Sequence, residues 1–299
     1  MPVAPAAFLD PALLATISDL ALLARTVVDG FMHGQHRSIR KGSSLDFAEH
    51  RAYQPGDDLR RIDWRVYGRT DRFYIKEYDA DTNARVLFAV DTSGSVAYGS
   101  GTVTKFAYAR MLTASLAWLS QVQGDRVGLA TFTQALVDVI PPSVRHVQRL
   151  LHTLAAATPG GPSQLVASIE KLGLLSQRAG IIVLVTDCYE QPDVLGRAVD
   201  ALRRHGHDLL VFHVVDPAER ELPGDNDTTF EDVESGYLLP LKPRALRDKY
   251  QSLVRAHHEA LQSRFAAAGA DYVRLDTSAP LDRALHAYLD ARLTRGRVR

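Results

Sequence analysis

The sequence predicts an α/β protein, a Rossmann-like and mainly parallel sheet with helices on both faces, preceded by an N-terminal helix and a small β-rich arm. Two observations carry that expectation. Val86–Val90 and Ile181–Val185 are continuous apolar runs, the pattern of strands buried on both faces of a parallel sheet. From Arg85 onward such runs alternate with segments of helical periodicity, and parallel neighbours need crossover helices to connect them. A chain of 299 residues, 46% hydrophobic and 23% charged, has enough apolar surface to build the core this requires.

Taken in order, residues 11–29 read as one amphipathic helix presenting Leu13, Leu14, Ile17, Leu20 and Val28 on a broad face, opened by Pro11 and closed by Gly30. Residues 1–36 form this N-terminal region. Residues 37–84 form an arm of different character, in which charged residues of both signs alternate with Phe47, Tyr53, Trp64, Tyr67, Phe73 and Tyr74. Disordered charged tails are poor in aromatics, so the arm is expected to fold. The main domain spans 85–299. Strands are expected at 86–90, 126–132, 181–185, 208–215 and 271–275, with a short apolar piece at 135–140. Helices are expected at 105–122, 144–154, 165–175, 192–204, 243–267 and 280–293. Residues 216–242 read as an irregular acidic insertion, with eight acids against Arg220 between Asp216 and Glu234.

Composition narrows the function classes. Lys plus Arg and Asp plus Glu are both 35, so the chain lacks the positive excess that coating nucleic acid or an anionic membrane demands. The single cysteine, Cys188, rules out an intramolecular disulfide and a multi-cysteine metal site; it reads as a small buried side chain. The N-terminus has no basic leader, and the apolar stretch 12–28 is broken by Asp19 and Arg25, which argues against a membrane span. A cytoplasmic location is the expectation.

Ligands of open α/β sheets bind beyond the carboxyl ends of the strands, so the informative residues are those at the ends of the apolar runs. Asp91-Thr92-Ser93-Gly94-Ser95 succeeds the first run, and Thr186-Asp187 succeeds the second. Between them, Gly160-Gly161-Pro162-Ser163 leads into a helix. Two carboxylates and several hydroxyls on one rim suit a hard divalent cation such as Mg²⁺, which takes six oxygens and commonly keeps waters. The same residue types also serve as turn and helix-cap residues.

This constellation resembles the metal-ion-dependent adhesion site of von Willebrand factor type A domains. The resemblance implies a von Willebrand factor A-like fold with Asp91, Ser93, Ser95 and Ser163 near a Mg²⁺ or another divalent ion, and Asp187 binding directly or through water. The family's threonine position is here Ser163. A second stretch, Arg51-x-Tyr53-x-Pro55-Gly56-Asp57-Asp58-x-Arg60-x-Ile62-Asp63-Trp64 with Arg69 and Lys76-Glu77, is similar to the signature of the domain of unknown function 58 family. That resemblance implies association with a MoxR-type AAA+ ATPase. It also marks Arg51, Tyr53, Asp57, Asp58, Arg60, Asp63, Trp64 and Arg69 as a partner surface or brace.

Other candidates are weaker. Gly99 to Lys105 lacks the glycine before lysine and the hydroxyl after it that a phosphate loop needs. No Gly-x-Ser-x-Gly elbow or His-Glu-x-x-His motif occurs; His213 reads as a strand residue, His257-His258 as structural and His205-x-His207 as a solvated loop. Asp225-x-Asp227 has Phe230 where a calcium loop needs glycine. The acidic insertion reads as a solvated loop, or alternatively as one that docks on the arginine-rich arm or lends a carboxylate to the metal.

The function these features imply is a non-enzymatic, metal-dependent protein-binding module, an adaptor or chaperone-like partner of an ATPase. A metal-dependent hydrolase using the same site is the alternative, and nucleic-acid binding through Arg60, Arg61, Arg65 and Arg69 is a further one.

Overall fold

The computed structural model describes residues 9–39, 50–52, 74–76, 84–176, 178–224 and 227–296. Its strands are β1 (His50–Ala52), β2 (Tyr74–Lys76), β3 (Arg85–Asp91), β4 (Arg126–Phe132), β5 (Leu136–Ser143), β6 (Ile181–Thr186), β7 (Asp208–Val215), β8 (Thr228–Glu231), β9 (Leu238–Leu241) and β10 (Asp271–Asp276). Its helices are α1 (Pro11–Leu14), α2 (Leu20–Ile39), α3 (Lys105–Val122), α4 (Val147–Ala156), α5 (Leu165–Leu175), α6 (Pro192–Arg204), α7 (Pro217–Glu221), α8 (Pro243–Ala267) and α9 (Asp282–Gly296).

Six strands make the central sheet in the order β10-β7-β6-β3-β4-β5. All neighbours are parallel except β5, which returns antiparallel along β4 at the edge. The class is therefore α/β with a mainly parallel sheet covered on both faces. Alternate residues of the two apolar runs explain the two layers. Val86, Phe88 and Val90 of β3, with Val183 and Val185 of β6, pack against α2, α3, α4 and α9. Leu87 and Ala89, with Ile182 and Leu184, face α5, α6 and α8. A period of two in a strand buried on both sides makes every position apolar.

The chain leaves β3 toward β4 on one side and later returns to β6 on the other. The β3–β6 boundary is thus the point where the strand order reverses, which opens a crevice at the carboxyl ends of these two strands. Asp91 ends β3 and Asp187 directly succeeds β6.

Two expected elements differ. The helix read over 11–29 is two helices, because Asp19 is a cap and not an interruption: its Oδ1 accepts from Ala21 N at 2.8 Å and Leu22 N at 3.1 Å. The second helix then continues through Gly30, where a side chain would meet nothing within 4 Å, and Leu13 is exposed. The acidic insertion is not irregular throughout. It contains α7 and an antiparallel hairpin, β8 with β9. Of the arm, β1 and β2 pair antiparallel, with Arg51 opposite Ile75. Tyr53, Asp57, Asp58, Arg60, Asp63, Trp64 and Arg69 lie outside the described residues. Among the described residues no helix is long and apolar enough to cross a membrane.

The last helix is fastened by charge. Arg292 Nε and Nη2 donate to the two oxygens of Asp125 at 2.8 and 2.9 Å, and Asp125 Oδ1 also accepts from Ala84 N. The Asp125 side chain has no solvent exposure. Burial raises its pKa, with the arginine pulling the other way. Arg292→Leu is therefore expected to cost about 3 kcal/mol in urea denaturation, since it strands a buried carboxylate, and Asp125→Asn in the same background should recover part of it.

Candidate metal centre

The crest of β3 places Asp91 inside the protein, and its carboxylate is held by two donors. Oδ1 accepts from Ser93 N at 2.9 Å, and Oδ2 accepts from Thr186 Oγ1 at 2.7 Å. The first bond turns the chain sharply, so the Ser93 and Ser95 hydroxyls face each other with their oxygens 3.0 Å apart. Gly94 sits between them under the Gly-Gly loop: its N–H donates to Gly161 O at 2.7 Å, and a Cβ there would lie 3.2 Å from the same oxygen. Ser163, next in that loop, lines one cavity of about 860 Å³ together with Ser95, Thr186 and Asp187.

The donor set suits a hard cation. Two neighbouring ligands of an octahedral Mg²⁺, each at about 2.1 Å, are about 3.0 Å apart, which is the separation of the Ser93 and Ser95 oxygens. Asp91 is buried, no described cationic side chain pairs with it, and burial followed by repulsion from Asp187 raises its pKa to about 6. A desolvated carboxylate of this kind gains from a cation. Among the described residues no three His, Cys, Asp or Glu side chains form a group able to hold a metal, so a cation here depends on the hydroxyls. Asp91, Ser93 and Ser95 would hold it, with Ser163 beside them.

Asp187 has a partner that sequence reading missed. Lys105, fully buried at the start of α3, donates from Nζ to Asp187 Oδ2 at 2.9 Å, to Glu219 Oε1 at 2.6 Å and to Tyr189 OH at 3.0 Å. Tyr189 also donates to Glu219. Burial alone would lower the pKa of Lys105, but Asp187 and Glu219 reverse this and raise it. The ammonium is thus fixed in the charged state. Gly99 and Lys105 belong together structurally: a Cβ at Gly99 would fall 2.7 Å from Thr104 Cα, and Thr104 caps α3 by accepting from Ala107 N. Gly99 thus serves a close turn against Thr104.

The acidic insertion is largely exposed, as a solvated loop would be, but it turns inward at three of its carboxylates. Asp216 is buried and accepts from Ser100 N and Oγ while capping α7 through Ala218 N. Glu219 holds Lys105. Glu234 Oε2 accepts from Ser163 N at 3.2 Å. His207, expected in solvent, is buried with Nε2 against Ser176 O at 3.0 Å, and burial lowers its pKa. Cys188 is buried as expected, its thiol pKa pushed up first by burial and then by Asp187 and Asp91. His213 fills a buried strand position and bonds Tyr272 OH through Nδ1.

Fold and site together define an α/β domain with a carboxylate- and hydroxyl-lined crevice at its strand-order reversal. The chain belongs to the family described as "Protein of unknown function DUF58", which matches residues 49–260. It is 30% identical over 275 residues to "Uncharacterized protein Rv1480" of Mycobacterium tuberculosis, covering 90% of this chain and 86% of that one. "Uncharacterized protein MAV169" of Mycobacterium avium is 29% identical over 140 residues, 45% of this chain and 82% of that one. Among solved structures, BatB from Bacteroides thetaiotaomicron aligns with TM-score 0.48 and 17% identity over 70% of this chain and 98% of its own. The SpRpn10 VWA domain aligns with TM-score 0.41 and 12% identity over 67% and 92%.

Two outcomes test this electrostatic arrangement. Because the folded-state pKa of Asp91 lies above the carboxyl value of 3.8, its ionisation opposes folding above about pH 6, and that penalty fades as pH falls toward 4. Asp91→Asn in chelator-treated protein should therefore raise the melting temperature at pH 7.5, by about 2–4 °C for each kcal/mol relieved, with the gain vanishing near pH 4. Lys105→Met should do the opposite, costing about 3–5 kcal/mol by leaving Asp187 and Glu219 unpaired. Adding Asp187→Asn and Glu219→Gln should restore most of that loss in urea titrations.

Proposed function

We propose that the chain is a non-enzymatic, divalent-cation-dependent protein-binding module, with Mg²⁺ as the expected ion. The observation that carries this reading is the pair of hydroxyls on Ser93 and Ser95, 3.0 Å apart beside the buried Asp91, which pairs with no described Lys, Arg or His. When bound, Mg²⁺ would supply an electrophilic centre with few charged ligands, which favours recruitment of a carboxylate from another protein. Lys105 offsets one of the two charges of Asp187 and Glu219 in advance, and the remaining negative charge of the crest would be available to a cation. Thr186 and the Ser93 N–H orient Asp91, and Ser163 flanks the position a partner's acid would take.

The surroundings of the crest suit a protein partner. The adjoining cavity of about 860 Å³ is walled by Leu222, Phe230, Leu239, Leu246 and Leu253. Val233, Leu239 and Leu253, which line the same cavity, are large apolar side chains left exposed, and exposed apolar surface of this kind favours an interaction site. By resemblance of the family signature, a MoxR-type AAA+ ATPase is the first partner to try, with the arm from Arg51 to Arg69 as a second contact. The proposed setting is the cytoplasm.

Capture of a purified MoxR-type ATPase by the immobilised chain tests the reading. Retention is expected with 5 mM Mg²⁺ (on the order of the ion's weaker protein sites) and should be lost with chelator or with Asp91→Asn. Equal capture in all arms would defeat cation dependence, and capture in none would defeat this partner.

A further inference from the structure

The β8–β9 hairpin brings a carboxylate to the crest that the crevice itself does not supply. Its tip is built by one side chain. Asp232 Oδ1 accepts from Glu234 N at 2.9 Å and from Ser235 N, and Oδ2 accepts from Ser235 Oγ at 2.7 Å. Gly236 closes the turn at φ +70°, donating to Asp232 O, while Asp232 N donates to Tyr237 O. A tip so constrained aims its side chains reproducibly. Val233 O and Glu234 Cγ then stand 3.4 and 3.5 Å from the position a Cβ on Gly94 would take, between the two serines of the candidate site. Glu234 Oε2 rests on Ser163 N at 3.2 Å. Among the described residues no Lys, Arg or His pairs with Glu234, and the described group that holds the carboxylate at this spot is the Ser163 backbone N–H.

Resting on the cation-dependent reading above, we infer that Glu234 is the chain's own carboxylate ligand for the crest cation: the hairpin fills the open position in cis, and a partner's acidic side chain must displace it. The consequence is specific to the insertion. Two loops of the parallel sheet supply Asp91, Ser93, Ser95 and Ser163, and a third segment supplies an acid with the same chemistry as the expected partner's. The Gly94 position belongs to this arrangement, since any side chain there would meet the tip and the Gly161 carbonyl together.

Mn²⁺ titration of the full chain, read by electron paramagnetic resonance for affinity and by water-proton relaxation for exchangeable waters on the bound ion, tests this. Wild type should bind, and Asp91→Asn should not. Glu234→Gln keeps an acceptor for Ser163 N and should weaken Mn²⁺ binding by about tenfold while raising the relaxivity of the bound ion, because water replaces the lost oxygen. Glu231→Gln, which removes the same charge from the same hairpin, should leave relaxivity unchanged. Weaker binding by Glu234→Gln without a relaxivity change would mean a through-space charge effect and would overturn the inference. Unaltered binding would overturn it too, while the Asp91 result kept the site. Absence of Mn²⁺ binding in wild type at millimolar ion would remove both the site and its hairpin ligand.

Discussion

A lysine ammonium withdrawn from water stays charged only where carboxylates surround it, and Lys105 has two. The bonds to Asp187 and Glu219 join three pieces of chain that are far apart in sequence: the start of α3, the turn after β6 and the short helix α7 of the insertion. Much of the crest geometry depends on that. With Asp187 pinned, the turn containing Cys188 adopts a left-handed backbone at φ +52° and Thr186 stands over Asp91. With Glu219 pinned, α7 lies against the crevice, its capping box completed by Asp216, and the hairpin after it is directed back over the serines. The ammonium sits at a helix N-terminus, where the dipole disfavours positive charge, so the two carboxylates outweigh both that term and desolvation.

The same ion pair decides the electrostatics of the crest. Asp91, Asp187, Glu219 and Glu234 bring four negative charges to a small region, and Lys105 brings one positive charge. Asp91, the most buried of the group without a cation of its own, takes the residual strain as a raised pKa. Protons and divalent cations would compete for such a carboxylate, so the proposed metal would be favoured above about pH 6 and opposed below it. The Ser93 and Ser95 hydroxyls would add ligand atoms without adding to the repulsion.

Much of this is legible in the sequence and some is not, for reasons that differ residue by residue. The two apolar runs specify the central strands because burial on both faces leaves no polar position to confuse the pattern. Asp91, Ser93, Ser95 and Asp187 stand out because a short Asp-x-Ser-x-Ser motif and a second acid both lie at the carboxyl ends of those runs. Lys105 is hidden because its signal is three-dimensional: alone it reads as the polar start of a helix, and its role appears only when loops 82 and 114 residues away converge on it. Thr186 reads as the start of the loop after the second run, whereas it ends β6 and its hydroxyl orients Asp91. Asp19 reads as an interruption, yet a short polar residue before an apolar run is equally a cap. The hairpin escapes detection since Thr228–Glu231 and Leu238–Leu241 are four residues each, too short for periodicity to speak.

The insertion is where local sequence misleads most, and the reason lies in how charge is distributed there. Eight acids with one base look like a solvated stretch, because isolated carboxylates gain nothing by leaving water. Three of them leave it nonetheless, each for a different donor: Asp216 for Ser100 and the α7 N-terminus, Glu219 for Lys105, Glu234 for Ser163 N–H. These donors come from loops of the sheet crest and the start of α3. A segment held by such contacts can be tightened or released by whatever alters charge at the crest. Cation loading would draw the carboxylates together, and acidification would weaken their grip. The apolar wall formed by Phe230 and Leu239 moves with the same hairpin, so the polar ligand and the apolar contact surface are mechanically one element. A partner acid that displaced Glu234, as proposed, would meet the hydrophobic face in the same event, which would couple recognition of its acid to burial of its neighbouring side chains.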